Sequence, residues 1–187
     1  MKFSMKKVTV LLADGFEEIE ALTVVDLLRR AKVYVDTVSI TDDYTVRGAH
    51  GIPVQTEDLI TEIDFKESDM IVLPGGMPGT TNLKEDENVR KAVQEAYDDG
   101  RYVAAICAAP TILADMGVLK GKRATCYPDM ESEIEDAYLT GAPVATDENI
   151  ITSQGVGTAI DFALKLIEVL ISEEKAVEIA DSIVYQR

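Results

Sequence analysis

The stretch YVAAICAAP, Tyr102–Pro110, decides the fold. Its first five residues are apolar and read as a buried strand. A cysteine, Cys107, follows at once, and small residues after it open a helix through APTILADMG, which stops at Gly117. A buried strand running straight into a helix is the unit of a parallel sheet with right-handed crossovers. The same unit recurs on both sides. KKVTVLLA is an apolar run that ends in Asp14-Gly15, and EEIEALTVVDLLRRA then places Ile19, Leu22, Val25 or Asp26, and Leu28 at helical spacing. Acids fill the first turn of that helix and arginines the last, as its dipole favours. VYVDTVSI reads as an alternating strand, and TVRGAHGIPVQTED as a small strand excursion or hairpin. DMIVLPGG is a buried strand closed by glycines, and Asp86 to Asp99 is a helix ending at Gly100. RATCYP and NIITSQ read as strands, GTAIDFALKLIEVLI as a long amphipathic helix, and Glu173 to Tyr185 as a last helix. The pattern predicts a three-layer α/β/α sandwich with a mostly parallel sheet, and residues 1–187 as a single domain.

Composition narrows the partners. The chain has 187 residues, 47% of them hydrophobic, enough for a full core. Its formal charge of −16 would be repelled by a nucleic-acid backbone or an anionic membrane, so neither is expected as a partner. No segment approaches the ~20 apolar residues of a membrane helix. The basic start, MKFSMKK, precedes an apolar run too short for a signal peptide, which reads better as a first strand. With two cysteines, no CxxC and one histidine, His50, the chain has neither a disulfide framework nor a zinc-ligand set. A cytoplasmic location with free thiols, and no metal, is the expectation.

Ligands of such sheets bind at the carboxyl ends of the strands. Three loops fall there: DGFEEIE, PGGMPG and CAAP. At a strand-to-helix bend, Cys107 feels the positive end of a helix dipole, which predicts a lowered thiol pKa. The bend also lifts the side chain off the sheet, as in a nucleophile elbow. Glycines of PGG let backbone approach a ligand, so the N–H groups of Gly76 and Ala108 form a candidate oxyanion pair. Among the acids, Glu20 is expected to face inward and Glu17 and Glu18 to face solvent. A partly buried Glu20 would keep its proton and either donate a hydrogen bond to the sulfur or act as a general acid and base, and periodicity alone does not choose among the three acids. Neither GxxxxGK[ST] nor GxGxxG follows the first strand, so no nucleotide cofactor is expected. Cys126 reads as a core thiol.

Taken together, VTVLLADGFEEIEALTVVDLLRRA, IVLPGG, AAICAAPTILADMGVLKGKRAT and ITSQGVGTAIDFALKLIE resemble the ThiJ/PfpI superfamily, in its DJ-one-like branch. The resemblance implies a flavodoxin-like sandwich that forms a homodimer, with Cys107 as the oxidation-prone cysteine and Glu20 beside it. It implies Gly76 and Ala108 as the backbone donors and no cofactor. It also implies one of two functions. One is an enzyme acting on small reactive aldehydes, a glutathione-independent glyoxalase (methylglyoxal to lactate) or a protein deglycase. The other is a redox-sensing, chaperone-like stress protein whose Cys107 is oxidised to sulfinate. The sequence also departs from the family. The protease-like branch has a histidine where this chain has Ala108, so a peptidase is not expected. Tyr127 stands where the human relative has a histidine, and a dyad of His50 with Cys107 is not expected. Lys32 stands where relatives often carry glycine. Gly75, Tyr127, His50 and Arg30 complete the candidate pocket, the last two by their implied place near a dimer face.

Overall fold

The computed structural model describes residues 5–186. The basic start of the chain therefore lies partly outside the described residues. In chain order the elements are β1 (Lys7–Leu12), α1 (Glu18–Arg30), β2 (Tyr34–Ser39), β3 (Thr45–Arg47), β4 (Pro53–Gln55), β5 (Asp58–Leu59) and β6 (Met70–Leu73). Then come α2 (Gly79–Glu85), α3 (Glu87–Asp98), β7 (Tyr102–Ile106), α4 (Pro110–Asp115), β8 (Arg123–Ala124), β9 (Tyr138–Leu139), β10 (Val144–Asp147), β11 (Ile150–Ser153), α5 (Ala159–Leu170) and α6 (Glu173–Ser182). The main sheet has the order β10-β11-β7-β6-β1-β2-β5. All neighbours are parallel except β10, which pairs antiparallel with β11.

The layers follow from where the apolar side chains go. Val8, Val10 and Leu12 of β1 point to a cluster with Ala21, Val24 and Leu28 of α1, Phe162 and Leu166 of α5, and Ile179 of α6. Leu11, Ile71 and Leu73 point the other way, to Val89 and Val93 of α3 and Ile112 and Leu113 of α4. Alternate residues of one strand thus feed two cores, the mark of a strand covered on both faces. For that reason the alternation read in VYVDTVSI does not separate core from solvent: Val35 to Ser39 are all buried. Among the described residues no helix is long and apolar enough to cross a membrane.

Several local readings need correction. Ile19 and Leu22 are exposed on α1, and Val25 and Leu28 are buried with Ala21, Val24 and Leu27. Two apolar stripes share the helical period in α1, and packing on α5 selects the second. Helix α2 lies in what reads as a glycine loop and its continuation, because Gly79–Glu85 has too few apolar residues to show a period. RATCYP supplies only the two residues of β8, paired with β9 in a separate small sheet. Of the excursion or hairpin read in TVRGAHGIPVQTED, the structure has the hairpin, formed by β3 and β4. Lys32 ends α1 at φ 65°, the left-handed conformation that glycine adopts without strain, so its departure from the family pattern acts on capping alone.

Register places the chemistry. Leu73 lies opposite Ala105, and Ile106 opposite Ser153. The chain leaving β1, β6, β7 and β11 therefore emerges along one edge, carrying Asp14-Gly15, Pro74–Gly76, Cys107 and Gln154-Gly155.

Candidate active site

Cys107 leaves β7 at φ 64°, a left-handed bend that costs an L-residue roughly 1 kcal/mol. Two hydrogen bonds hold the bend. Cys107 N–H donates to the Ser153 carbonyl (3.0 Å), and the Cys107 carbonyl accepts from Tyr127 N–H (2.8 Å). Helix α4 begins only at Pro110 and runs six residues. The thiol is therefore on a turn ahead of a short helix, not on the helix end that the sequence suggested. The N–H groups of Gly76 and Ala108 both reach the sulfur and favour its anion.

Glu20 projects from α1 into the same space and is fully buried. Its Oε2 accepts from Gly75 N–H at 2.9 Å. Its Oε1 is buried without another hydrogen-bond partner apart from the thiol beside it. Burial pushes the carboxyl up to about 7; contacts with the thiol and Gly75 N–H oppose the rise, and the charge on Glu17 adds to it. Burial likewise pushes the Cys107 thiol up, to about 12, with the Glu20 charge and hydrogen bond adding and the Ala108 and Gly76 N–H groups opposing. The sequence expectation of a lowered thiol pKa is thus reversed, because burial and a neighbouring carboxylate outweigh two amide dipoles. The two groups share a site and titrate as a pair. Burial thus disfavours the anion of either group, and the carboxyl is the more acidic of the two.

The clearances are small. A Cβ at Gly75 would lie 2.6 Å from Cys107 Cβ and 2.6 Å from Glu20 Oε2. One at Gly76 (φ 92°) would lie 2.3 Å from Glu17 N. Both positions thus require glycine. A Cβ at Gly155 would meet Cys107 Sγ and Glu20 Oε1 at 3.8 Å each, and Tyr127 Cδ2 at 3.5 Å. Gly155 therefore roofs the pair, and the half-exposed Tyr127 stands beside it. Gly155 is absent from the sequence-derived site, although its place just after β11 on the ligand-binding edge was a usable signal.

The remaining candidates divide. His50 does not meet Cys107. Its Nδ1 is 2.8 Å from Glu18 Oε2 and 3.6 Å from Glu17 Oε2, and its backbone N–H donates to Glu18 Oε1 at 2.8 Å. Glu18 is buried beneath this loop and Glu17 is largely covered, so the expectation that both face solvent is wrong. Burial opposes ionisation of Glu18, but hydrogen bonds from His50 and backbone hold its carboxyl below the usual range. Arg30 pairs with Asp26 at 2.8 Å and lies ten residues along α1 from Glu20, about 15 Å of helix. It therefore belongs to the far end of α1, away from this pocket. Cys126 is fully buried, and burial pushes its thiol up to about 11. Both cysteines are free.

Comparison with known proteins shows the family and the fold. The model of the DJ-1/PfpI family matches residues 6–169. Protein DJ-1 homolog B of Arabidopsis thaliana is 39% identical over 98% of this chain, and the match covers 42% of its own length, so the chain spans under half of that relative. The glutathione-independent glyoxalase DJ-1 of Schizosaccharomyces pombe is 34% identical, over 91% of this chain and 94% of its own. The crystal structure of Drosophila melanogaster DJ-1beta superposes with a TM-score of 0.94 at 34% identity, covering 98% of this chain and 100% of that one. The sandwich is therefore the flavodoxin-like fold of these neighbours.

Proposed function

The chain belongs to the DJ-1/PfpI family, and we propose that it isomerises and hydrates small α-oxoaldehydes, methylglyoxal to lactate, without glutathione. The observation that carries this reading is the fully buried Glu20 carboxyl beside the partly buried Cys107 thiol, with two backbone donors at the sulfur. The name of the fission-yeast relative points the same way.

The chemistry follows from the geometry. Cys107 Sγ adds to the aldehyde carbon, forming a C–S bond, and the carbonyl oxygen takes a proton to give a hemithioacetal. The N–H groups of Gly76 and Ala108 face the developing oxyanion. Glu20 takes the proton from the former aldehyde carbon and returns one to the adjacent carbon, which had been the ketone. The product of that shift is a thioester. Water cleaves its C–S bond, releasing lactate and returning the thiol. Hydrogen and oxygen balance with one water consumed, and no electron acceptor is needed. A neutral substrate enters and an anion leaves, and a surface of net charge −16 favours that departure.

The experiment is conversion of methylglyoxal by purified protein in D2O with no glutathione added. Lactate should accumulate over many turnovers, with deuterium on its second carbon from solvent exchange at Glu20. Consumption of one methylglyoxal per thiol, with no lactate, would end the reading. Protein deglycation is the related activity that the same nucleophile supports. It would be read as release of free lysine and arginine side chains from methylglyoxal-treated peptide.

A second reading rests on the same sulfur. Gly76 and Ala108 N–H groups and a protonated Glu20 would equally hold the oxygens of a sulfinate, making Cys107 a redox sensor. Under mild peroxide, mass spectrometry should then find two added oxygens on Cys107 while the fully buried Cys126 is untouched. Oxidation of Cys126 first removes this reading.

A further inference from the structure

The turn that carries Gly155 is buckled to the end of β11 by two hydroxyls. Ser153 Oγ donates to the Pro143 carbonyl at 2.7 Å. Its one proton is thereby used, so the 2.7 Å contact between Ser153 Oγ and Thr158 Oγ1 takes the proton of Thr158. Thr158 Oγ1 in turn accepts from Gly155 N–H at 3.1 Å. The Gly155 carbonyl, 3.0 Å from Thr158 Oγ1, has Thr158 N–H at 2.9 Å as its donor. Proton counting thus gives the chain one direction, from Gly155 N–H through Thr158 and Ser153 to Pro143, the residue ahead of β10.

Both ends of this chain bear on the thiol. Ser153 is fully buried, and its carbonyl accepts from Cys107 N–H at 3.0 Å, which holds the bend. Gly155 lies over the pair: a Cβ there would stand 3.8 Å from Cys107 Sγ and from Glu20 Oε1. We propose that Thr158 is a positioning residue for the thiol site, its hydroxyl pinning Gly155 over Cys107 and Glu20 and so keeping bulk water off them. This rests on the reading of those two side chains as the reactive pair.

The way the turn is packed leaves this task to the hydroxyl. Val156 and Gly157 are exposed, and burial resumes at Ala159 and Phe162 of α5. Apolar packing therefore anchors the turn on its far side, and Thr158 ties down the side that faces the thiol. A methyl in place of the hydroxyl fills the same volume but leaves Gly155 N–H without its acceptor and Ser153 Oγ without its donor. An amide in that position favours a turn lifted toward water, where it regains a partner. Water at the pair works against burial, the largest cause of the raised Cys107 thiol.

The test reads the thiol and not turnover. Alkylation of Cys107 and of Cys126 by iodoacetamide is followed by mass spectrometry of both peptides at about pH 9, for wild type, Thr158→Val, Thr158→Ser and Ser153→Ala. At that pH the Glu20 carboxyl, raised by burial to about 7, is ionised in the closed site and in a wetter one alike, so its charge is the same in all four proteins. Thr158→Val should speed Cys107 alkylation about tenfold, the effect of one pKa unit on the thiolate fraction. The fully buried Cys126 should keep its wild-type rate. Thr158→Ser retains the hydroxyl and should alkylate as wild type does. Ser153→Ala, which cuts the chain one link on, should also speed Cys107, so the proposal stays exposed if Thr158→Val does not fold. A wild-type Cys107 rate in Thr158→Val or in Ser153→Ala overturns the proposal. Equal acceleration of Cys107 and Cys126 does so too, since the hydroxyl would then hold the whole fold, as does a rise of the same size in Thr158→Ser. A protein that shows the expected rates but makes no lactate keeps this inference and loses the proposed activity.

Discussion

Cys107→Ala is expected to cost at least about a thousandfold in methylglyoxal turnover and to leave the unfolding midpoint in urea almost unchanged. The loss is large because every bond change runs through the sulfur: it forms the hemithioacetal, carries the thioester and leaves from it. Cys126 cannot substitute, since it is sealed in the core. Stability changes little because the strain belongs to the backbone. Residue 107 sits at φ 64° whether it carries a thiol or a methyl, and Ser153 and Tyr127 hold it through main-chain atoms. Turnover of the alanine variant within tenfold of wild type would show that the chemistry lies elsewhere.

Glu20→Gln should move three measurements, in different directions. Turnover should fall by about 10²- to 10⁴-fold, because an amide cannot carry a proton between adjacent carbons. Alkylation of Cys107 near neutral pH should instead become faster. The amide oxygen can accept from Gly75 N–H while the NH2 donates to the sulfur, and the carboxylate charge that disfavours thiolate is gone. Stability should rise at alkaline pH. The Glu20 carboxyl has its pKa raised from 4.5 to about 7 in the fold, so the folded state binds the extra proton between those values. Wild type therefore loses stability as pH climbs through that window, on the order of 2–3 kcal/mol by its top. The variant lacks this slope, so it should be the more stable protein at about pH 8 and converge with wild type in acid, as urea unfolding at both pH values would show. Slower alkylation would mean that Glu20 promotes the thiolate instead of opposing it, and no stability gain at high pH would mean that burial does not raise its carboxyl.

Much of this arrangement was legible before any coordinates. Apolar runs such as VTVLLA, MIVL and YVAAI sit between turn residues, so strands, order of layers and the ligand-binding edge follow from local pattern. Once the strands are parallel, the residues just beyond them must assemble, which is why Glu20, Gly75, Gly76, Cys107 and Ala108 meet. What could not be read was set by contacts between distant segments. Glu18 is buried only because the hairpin carrying His50 folds over it. The face of α1 was ambiguous between two stripes until α5 covered one. The direction of the thiol shift depends on how completely Gly155 and Glu20 shut out water, a property of the assembled pocket that no local rule about helix ends contains.

The thiol is met mostly by main chain: two amide hydrogens, a glycine with no room for a methyl group, and a glycine roof. Only one partner of that sulfur, Glu20, uses its side chain. Reactivity here is therefore inherited from the path of the backbone, and sequence drift in the surrounding helices should leave it intact while they still hold those bends. A protein built this way resists losing its chemistry by surface substitution, and it is equally hard to retune, since the atoms that would need changing are ones no codon alters.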